Sequence, residues 1–222
     1  MTATKPKASK TVKGEARELI LLAAQELIAV HGFDGVSTRS VNQAAGVSAG
    51  ILHYHFGSLE GVVETLLEQH MKPLMEERKK ILVQLQQQPD ITVRAVVNAI
   101  VIPLARKLIE EGKSGLNYVR MLARLYGDHN PVLNRVSNQY VGQNRGIVFQ
   151  LLCRALPQLP PEVLEWRLVP MAHGMLQTLA DPNLFATCAK GGDGTQQKWN
   201  RIENLINFIC GGLAAPSGVE MK

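Results

Sequence analysis

The stretch from Thr38 to Phe56, TRSVNQAAGVSAGILHYHF, constrains this chain more than any other. Ser37 or Thr38 can cap a first short helix by accepting a backbone N–H. Val41, Ala44 and Ala45 follow at helical spacing on one face. Gly46 is the natural stop, because glycine takes a left-handed conformation without a side-chain penalty. Ser48 is placed to cap a second short helix carrying Ile51, Leu52, His53, Tyr54, His55 and Phe56. The small Ala44 and Ala45 let the two helices cross closely, as a helix-turn-helix unit requires. The second helix of such a unit enters the major groove of DNA with its N-terminal residues on base edges. The stretch therefore predicts a double-stranded DNA partner.

The flanks fit that reading. Ile20, Ala23, Ala24, Leu27 and Ile28 place a helix over residues 15–31, with Gly32 as its stop and Phe33 and Val36 turning back to the core. Three short helices make a marginal core, so the rest of the chain must support them. Gly57 ends the second motif helix. Ser58 can cap a long helix over 59–87, with Glu60 in the first turn, where the helix dipole favours a negative charge. Val63, Leu66, Leu67, His70, Met71 and Leu74 mark its buried side. Pro73 should kink it, and the charged run Glu76 to Lys80 reads as solvated.

Beyond Pro89 the pattern stays helical. Helices are expected over 91–110, with Pro103 inside, and over 116–126, 130–155, 162–179 and 196–210. Asn130-Pro131 is a good helix start, and KGGDGT at 190–195 reads as a flexible loop. The fold class is all-α, with about nine helices and no strand. Four segments are expected: a basic disordered arm at 1–13, a helix-turn-helix DNA-binding domain at 14–58, a ligand-binding and dimerisation domain at 59–212, and a flexible tail at 213–222.

Composition narrows the function classes. Of 222 residues, 45% are hydrophobic and 19% charged, ordinary for a globular chain with a proper core. Charged and polar residues interrupt every apolar run, which argues against a membrane span. Cys153, Cys188 and Cys210 lie far apart and outside any motif. They fit a reducing cytoplasm and argue against a zinc site or a disulfide framework. No cofactor and no metal are expected, and His53 and His55, two apart on a helix, point to different faces. A net charge of +5 permits an anionic partner. The first acid is Glu15, whereas Lys5, Lys7, Lys10 and Lys13 precede or adjoin it. That arm is either a solubilising tail or an extension lying along phosphates or in a minor groove.

The segments AAQELIAVHGFDGVST and VNQAAGVSAGILHYHFGSLEGVVETLL, within residues 15–67, resemble the DNA-binding domain of TetR-family transcriptional regulators. The later segments NYVRMLARLYGD and ALPQLPPEVLEWRLVPMAHGM resemble the fatty-acid-responsive branch of that family. The resemblance implies a three-helix reading head joined by a long fourth helix to a helical ligand-binding and dimerisation domain. It places Ala49, Gly50, Ile51 and His53 at base-facing or backbone-facing positions, and Tyr54 and His55 where phosphate is contacted. Thr38 sits where the first motif helix is capped and phosphate touched. With Arg39 and Ser48 these residues form the expected DNA-binding set. Three positions depart from the family pattern. His53 replaces a usual tyrosine, and Ile51 replaces a usual threonine or serine and can meet a thymine methyl. Leu59 replaces a usual lysine, which removes one phosphate contact and should flatten the salt dependence of binding.

In the second half, Met71, Met75, Leu104, Tyr118, Met121, Leu122, Tyr126, Phe149, Leu152, Met171 and Met175 are read as an ordinary core or, collectively, as a cavity for a small apolar or acyl effector. Soft methionines suit an adaptable pocket. Arg120 and Arg124, four apart, can receive an acidic head group or form a solvated face. The helices over 162–179 and 196–210 are expected to pair two protomers into a homodimer that binds a near-palindromic operator. The expected function is a ligand-responsive repressor. The alternatives are a DNA-binding regulator controlled by a protein partner and a serine hydrolase using Ser48, since GVSAG matches G-x-S-x-G. That elbow needs a buried strand before the serine, and the preceding residues read as helix.

Overall fold

The computed structural model describes residues 13–188 and 194–218. Ten helices occur among them: α1 (Lys13–His31), α2 (Thr38–Ala44), α3 (Ile51–Phe56), α4 (Leu59–Gln86), α5 (Val93–Glu110), α6 (Lys113–Gly127), α7 (Pro131–Tyr140), α8 (Gly142–Ala155), α9 (Pro161–Ala180) and α10 (Gly194–Ala214). The expected arm lies outside the described residues but for Lys13, as do residues 189–193 of the expected loop and the last four residues of the chain.

Local signals set most helix ends. The Ser37 side chain accepts from the Ser40 N–H, and Ser40 returns the bond to the Ser37 N–H, a capping box for α2. Ser58 caps α4, Thr92 caps α5, and Asn130 caps α7 ahead of Pro131. Where a single helix is expected over 130–155 there are two. The chain breaks at Val141, followed by Gly142, a weak helix former that lets the axis change direction. Pro103 is buried in α5. It cannot donate to the carbonyl one turn earlier.

Two expectations about exposure are corrected. Arg78, read as part of a solvated charged run, is buried, because α4 is flanked at this height by α5 and α8. Its Nη2 donates to the Ile100 carbonyl of α5 at 2.8 Å. Ala44 is exposed, so only Ala45 provides the close helix crossing. The flexible tail expected from 213 also starts late. Leu213 and Ala214 are helical, and Arg167 of α9 donates to the carbonyls of Leu213, Ala215 and Pro216.

One continuous core joins the small N-terminal unit to the rest. α1 packs on α2, α3 and α4 on one side and on α6 on the other. Gln25 of α1, buried, donates to the Ser114 carbonyl at the start of α6 at 2.9 Å, and Lys113 pairs with Glu26 at 2.7 Å. α6 then packs on α9, and α4 on α5, α7 and α8. α9 and α10 pack together at the far edge, and Arg94 of α5 binds Glu203 and Asn207 of α10.

Candidate functional site

The first candidate site is the surface of α2, the turn and α3. Gly46 (φ 67°) ends α2, and Gly50 (φ 95°) starts α3 in a left-handed conformation that a side chain would strain. Ser48 was expected to cap α3, but no side chain does so at Gly50. The cap comes from α2 instead. Asn42 is buried and its Oδ1 accepts from the Leu52 N–H at 3.3 Å, while its backbone carbonyl accepts from Val47 at 3.0 Å. One buried polar side chain thus holds the turn and the start of α3 in register, satisfying a donor that the helix itself leaves orphaned. Leu52 and Val41 are wholly buried beneath it. Sequence reading missed Asn42, because an asparagine inside a short helix reads as a polar surface residue.

Arg39, Ser48, Ala49, Gly50, His53 and Tyr54 are exposed around this turn, and Thr38, Ile51 and His55 are half-buried beside them. Tyr54 is 66% exposed, and the His55 ring meets it edge-on with centroids 5.1 Å apart. His53 Nδ1 lies 2.6 Å from the Gly57 carbonyl at the end of α3. A carbonyl only accepts, so this nitrogen carries the proton; in the neutral ring Nε2 is then an acceptor. Thr38 is the first residue of α2, not its cap; Ser37 has that role. Leu59, at the position of the usual lysine, is buried in the core. Sequence reading did not single out Arg17, whose guanidinium lies over the Phe56 ring at 5.4 Å and brings a positive charge to the end of α3.

GVSAG falls in the turn between two helices. A nucleophile elbow is a strand-to-helix turn, so this match is sequence coincidence. Among the described residues no cluster of three or more His, Cys, Asp or Glu is placed to hold a metal ion, and no helix is long and apolar enough to cross a membrane.

The second candidate site is a cavity of about 340 Å³ lined by α4, α5, α6, α7, α8 and α9. Of the residues read as its wall, Met71, Met75, Leu104, Tyr118, Leu122, Tyr126, Met171 and Met175 line it. Met121 and Leu152 are fully buried in the core away from it, and Phe149 packs half-buried against that core. Helical spacing selected these three for burial, but the face each presents is set by the neighbouring helix. Arg120 and Arg124 line a separate cleft with Ala29 and Gln177 near the α9 end, not the cavity.

Sequence reading missed the cavity's polar wall. Arg78 and Asn144 both line it and both are buried. Asn144 donates to the Met75 carbonyl at 2.9 Å. Arg78 donates to Ile100 and weakly to the Met75 sulfur, while its Nε has no partner. No carboxylate pairs with it among the described residues. Burial pulls its guanidinium down to about 10, with the neighbouring Tyr118 acting the other way, so it stays charged at neutral pH. The Tyr118 hydroxyl is also buried without a partner, and burial pushes its phenol well above the usual range. His70 stacks on Tyr118 with centroids 4.5 Å apart. Burial, then the Lys107 charge, pull its imidazole down to about 4, so it is neutral at pH 7.

Comparison with known proteins identifies both regions. Residues 20–66 match the family model described as bacterial regulatory proteins, tetR family, and residues 98–212 match the tetracyclin repressor-like C-terminal domain. No curated protein matches the sequence. Among solved structures, the probable transcriptional regulatory protein RHA5900 is similar at a TM-score of 0.63 and 18% identity, over 90% of this chain and 100% of that one. NalD, the secondary repressor of the MexAB-OprM multidrug efflux pump in Pseudomonas aeruginosa, is similar at 0.59 and 21%, over 88% of this chain and 97% of that one. The fatty acid degradation regulator FadR from Bacillus halodurans is similar at 0.54 and 16%, over 91% of this chain and 97% of that one. At these identities the likeness is one of fold.

Proposed function

The chain belongs to the TetR family of bacterial transcriptional regulators, and from that premise we propose that it is a ligand-responsive repressor that binds a near-palindromic operator as a homodimer and is released by a small apolar or acyl effector. The observation that carries this reading is the placement of an apolar cavity on the two helices that also hold the DNA-reading unit. α4 begins at the end of α3 and contributes Met71, Leu74 and Met75 to the cavity. α6 contributes Tyr118, Leu122 and Tyr126 and packs on α1. A ligand that fits one arrangement of α4 and α6 better than another shifts the separation of the two heads, and only such differential affinity can do so.

Arg39, Ser48, Ala49, Gly50, Ile51 and His53 are the proposed base- and backbone-facing residues, with Thr38, Tyr54 and His55 toward phosphate. Arg17, over the Phe56 ring and 3.2 Å from Glu18, is a further candidate for a phosphate contact in place of the one missing at Leu59. Trp166 and Phe208 support pairing through α9 and α10, being 74% and 80% exposed on those helices. Large exposed apolar side chains mark surfaces that a partner covers. The cytoplasm, where chromosomal operators lie, is the proposed location.

The test is selection of genomic fragments retained by the purified protein, followed by gel shift at several salt concentrations. Two inverted half-sites about one or more helical turns apart are expected, as is release by apolar acids or their esters. Retention no better than random duplex at low salt would reject the DNA reading. Binding with no response to any small molecule would favour control by a protein partner. Pro73 lies in α4 among the cavity-lining residues Met71, Leu74 and Met75; as a flexing point, its replacement by alanine should blunt ligand-induced release.

A further inference from the structure

The cavity is apolar over most of its wall, yet one of its lining residues is a buried cation with an unpartnered nitrogen. Arg78 is 9% exposed and has no carboxylate partner among the described residues; its Nη groups are used on Ile100 and Met75, and its Nε is unpartnered. Tyr118, wholly buried on α6 and lining the same cavity, has a hydroxyl with no partner. The two groups are near enough for the charge of each to affect the other's ionisation. A buried charge left unpaired is costly, and both free atoms are donors suited to an oxygen acceptor. Three other polar groups beside the pair are already engaged. Asn144 donates to Met75, Lys107 pairs with Glu111 at 2.7 Å, and His70 is neutral at pH 7 and stacks on Tyr118.

We propose that the cavity binds an apolar carboxylic acid head-first, with the carboxylate on Arg78 Nε and the Tyr118 hydroxyl and the apolar body along the methionine-lined wall toward α9. This rests on the cavity being the effector site and names the chemistry that site selects. One guanidinium and one phenol, with no second free cation among the described lining groups, match a single negative charge better than a dianionic phosphate. The lining also includes exposed Arg145, which lies 4.0 Å from Glu165 of α9, and Val141 and Gly142 at the α7–α8 break. A thioester or ester of the same acid has no anion to give Arg78, so the free acid is the preferred form.

The experiment is calorimetric titration of the full-length protein with decanoate, methyl decanoate, 1-decanol and decyl phosphate. Decanoate should bind about tenfold or more tighter than the ester or the alcohol, and tighter than decyl phosphate, because charge-assisted hydrogen bonds strengthen in a low-dielectric site. In Arg78→Met the acid and ester should bind alike. In Tyr118→Phe, which keeps the ring packing, the preference should shrink by about threefold to tenfold. A circular-dichroism melt on each variant checks folding, and the ligand series on the unaltered protein decides the question even if a variant fails to fold. Equal binding of acid, ester and alcohol, or tighter binding of decyl phosphate, would overturn the head-group assignment while leaving the effector cavity standing. No binding of any of the four would overturn both. An acid preference unchanged in Arg78→Met would move the anion site elsewhere.

Discussion

The DNA-reading unit and the effector cavity are built from different kinds of information. The reading unit is assembled from neighbours in sequence. Its capping box, its glycine stops at Gly46 and Gly57, its left-handed Gly50 and its Asn42 tether all join residues at most ten positions apart. The cavity is assembled from six helices, and its two unpartnered donors stand on α4 and α6. In the first region no buried side-chain polar atom among the described residues lacks a partner. In the second, a charge and a hydroxyl are buried with bonding capacity left over. A region built to present a fixed surface satisfies itself, whereas one built to receive a molecule leaves donors for it.

That contrast can be broken by equivalent changes in the two regions. The largest effect is expected from Leu52→Ala, which opens a hole under α3 at a wholly buried position; a loss of about 3–5 kcal/mol is expected by chemical denaturation. The same deletion at Leu104, on the wall of an existing cavity, should cost about 2–3 kcal/mol, toward the lower end of such losses. If Leu104→Ala costs as much as Leu52→Ala, the cavity wall is packed like core and the contrast fails. Asn42→Ala strands the Leu52 N–H and should cost about 1–2 kcal/mol. It should also weaken DNA binding more than ligand binding, which gel shift and calorimetry on one preparation will separate.

Acid should act on the cavity side through His70. Its folded-state value of about 4 lies below its ordinary 6.5, so the unfolded chain takes up the proton first. Stability therefore falls as pH drops from about 6.5 toward 4 and levels off below that. Discounted for its partial exposure, the loss is about 1–2 kcal/mol. The difference in stability between the wild type and His70→Gln, followed across that window, isolates it from the carboxylates. The smallest effect is expected from Arg78→Met without ligand. Replacing an unpaired buried charge by a hydrophobe of similar length should leave stability within about 1 kcal/mol of the wild type, or raise it. A large loss there would mean that Arg78 is a structural tie to Ile100 and not an open donor.

What the sequence by itself determined is the all-helical architecture, most helix ends and the reading unit, because caps, glycine stops and apolar spacing act over a few residues and need no partner to be recognised. Ser37, Ser58 and Asn130 announce helix starts wherever the chain goes next. Only the tertiary structure decided which way Arg78 points, which of the spaced methionines and aromatics face the cavity and which face the core, and that Asn42 caps a helix other than its own. In Glu76–Lys80 the same charged run that would be solvated on an isolated helix contains one residue covered by α5 and α8. Periodicity names the buried face of a helix, but a cavity is the space between several such faces, and its shape depends on how distant helices are brought together.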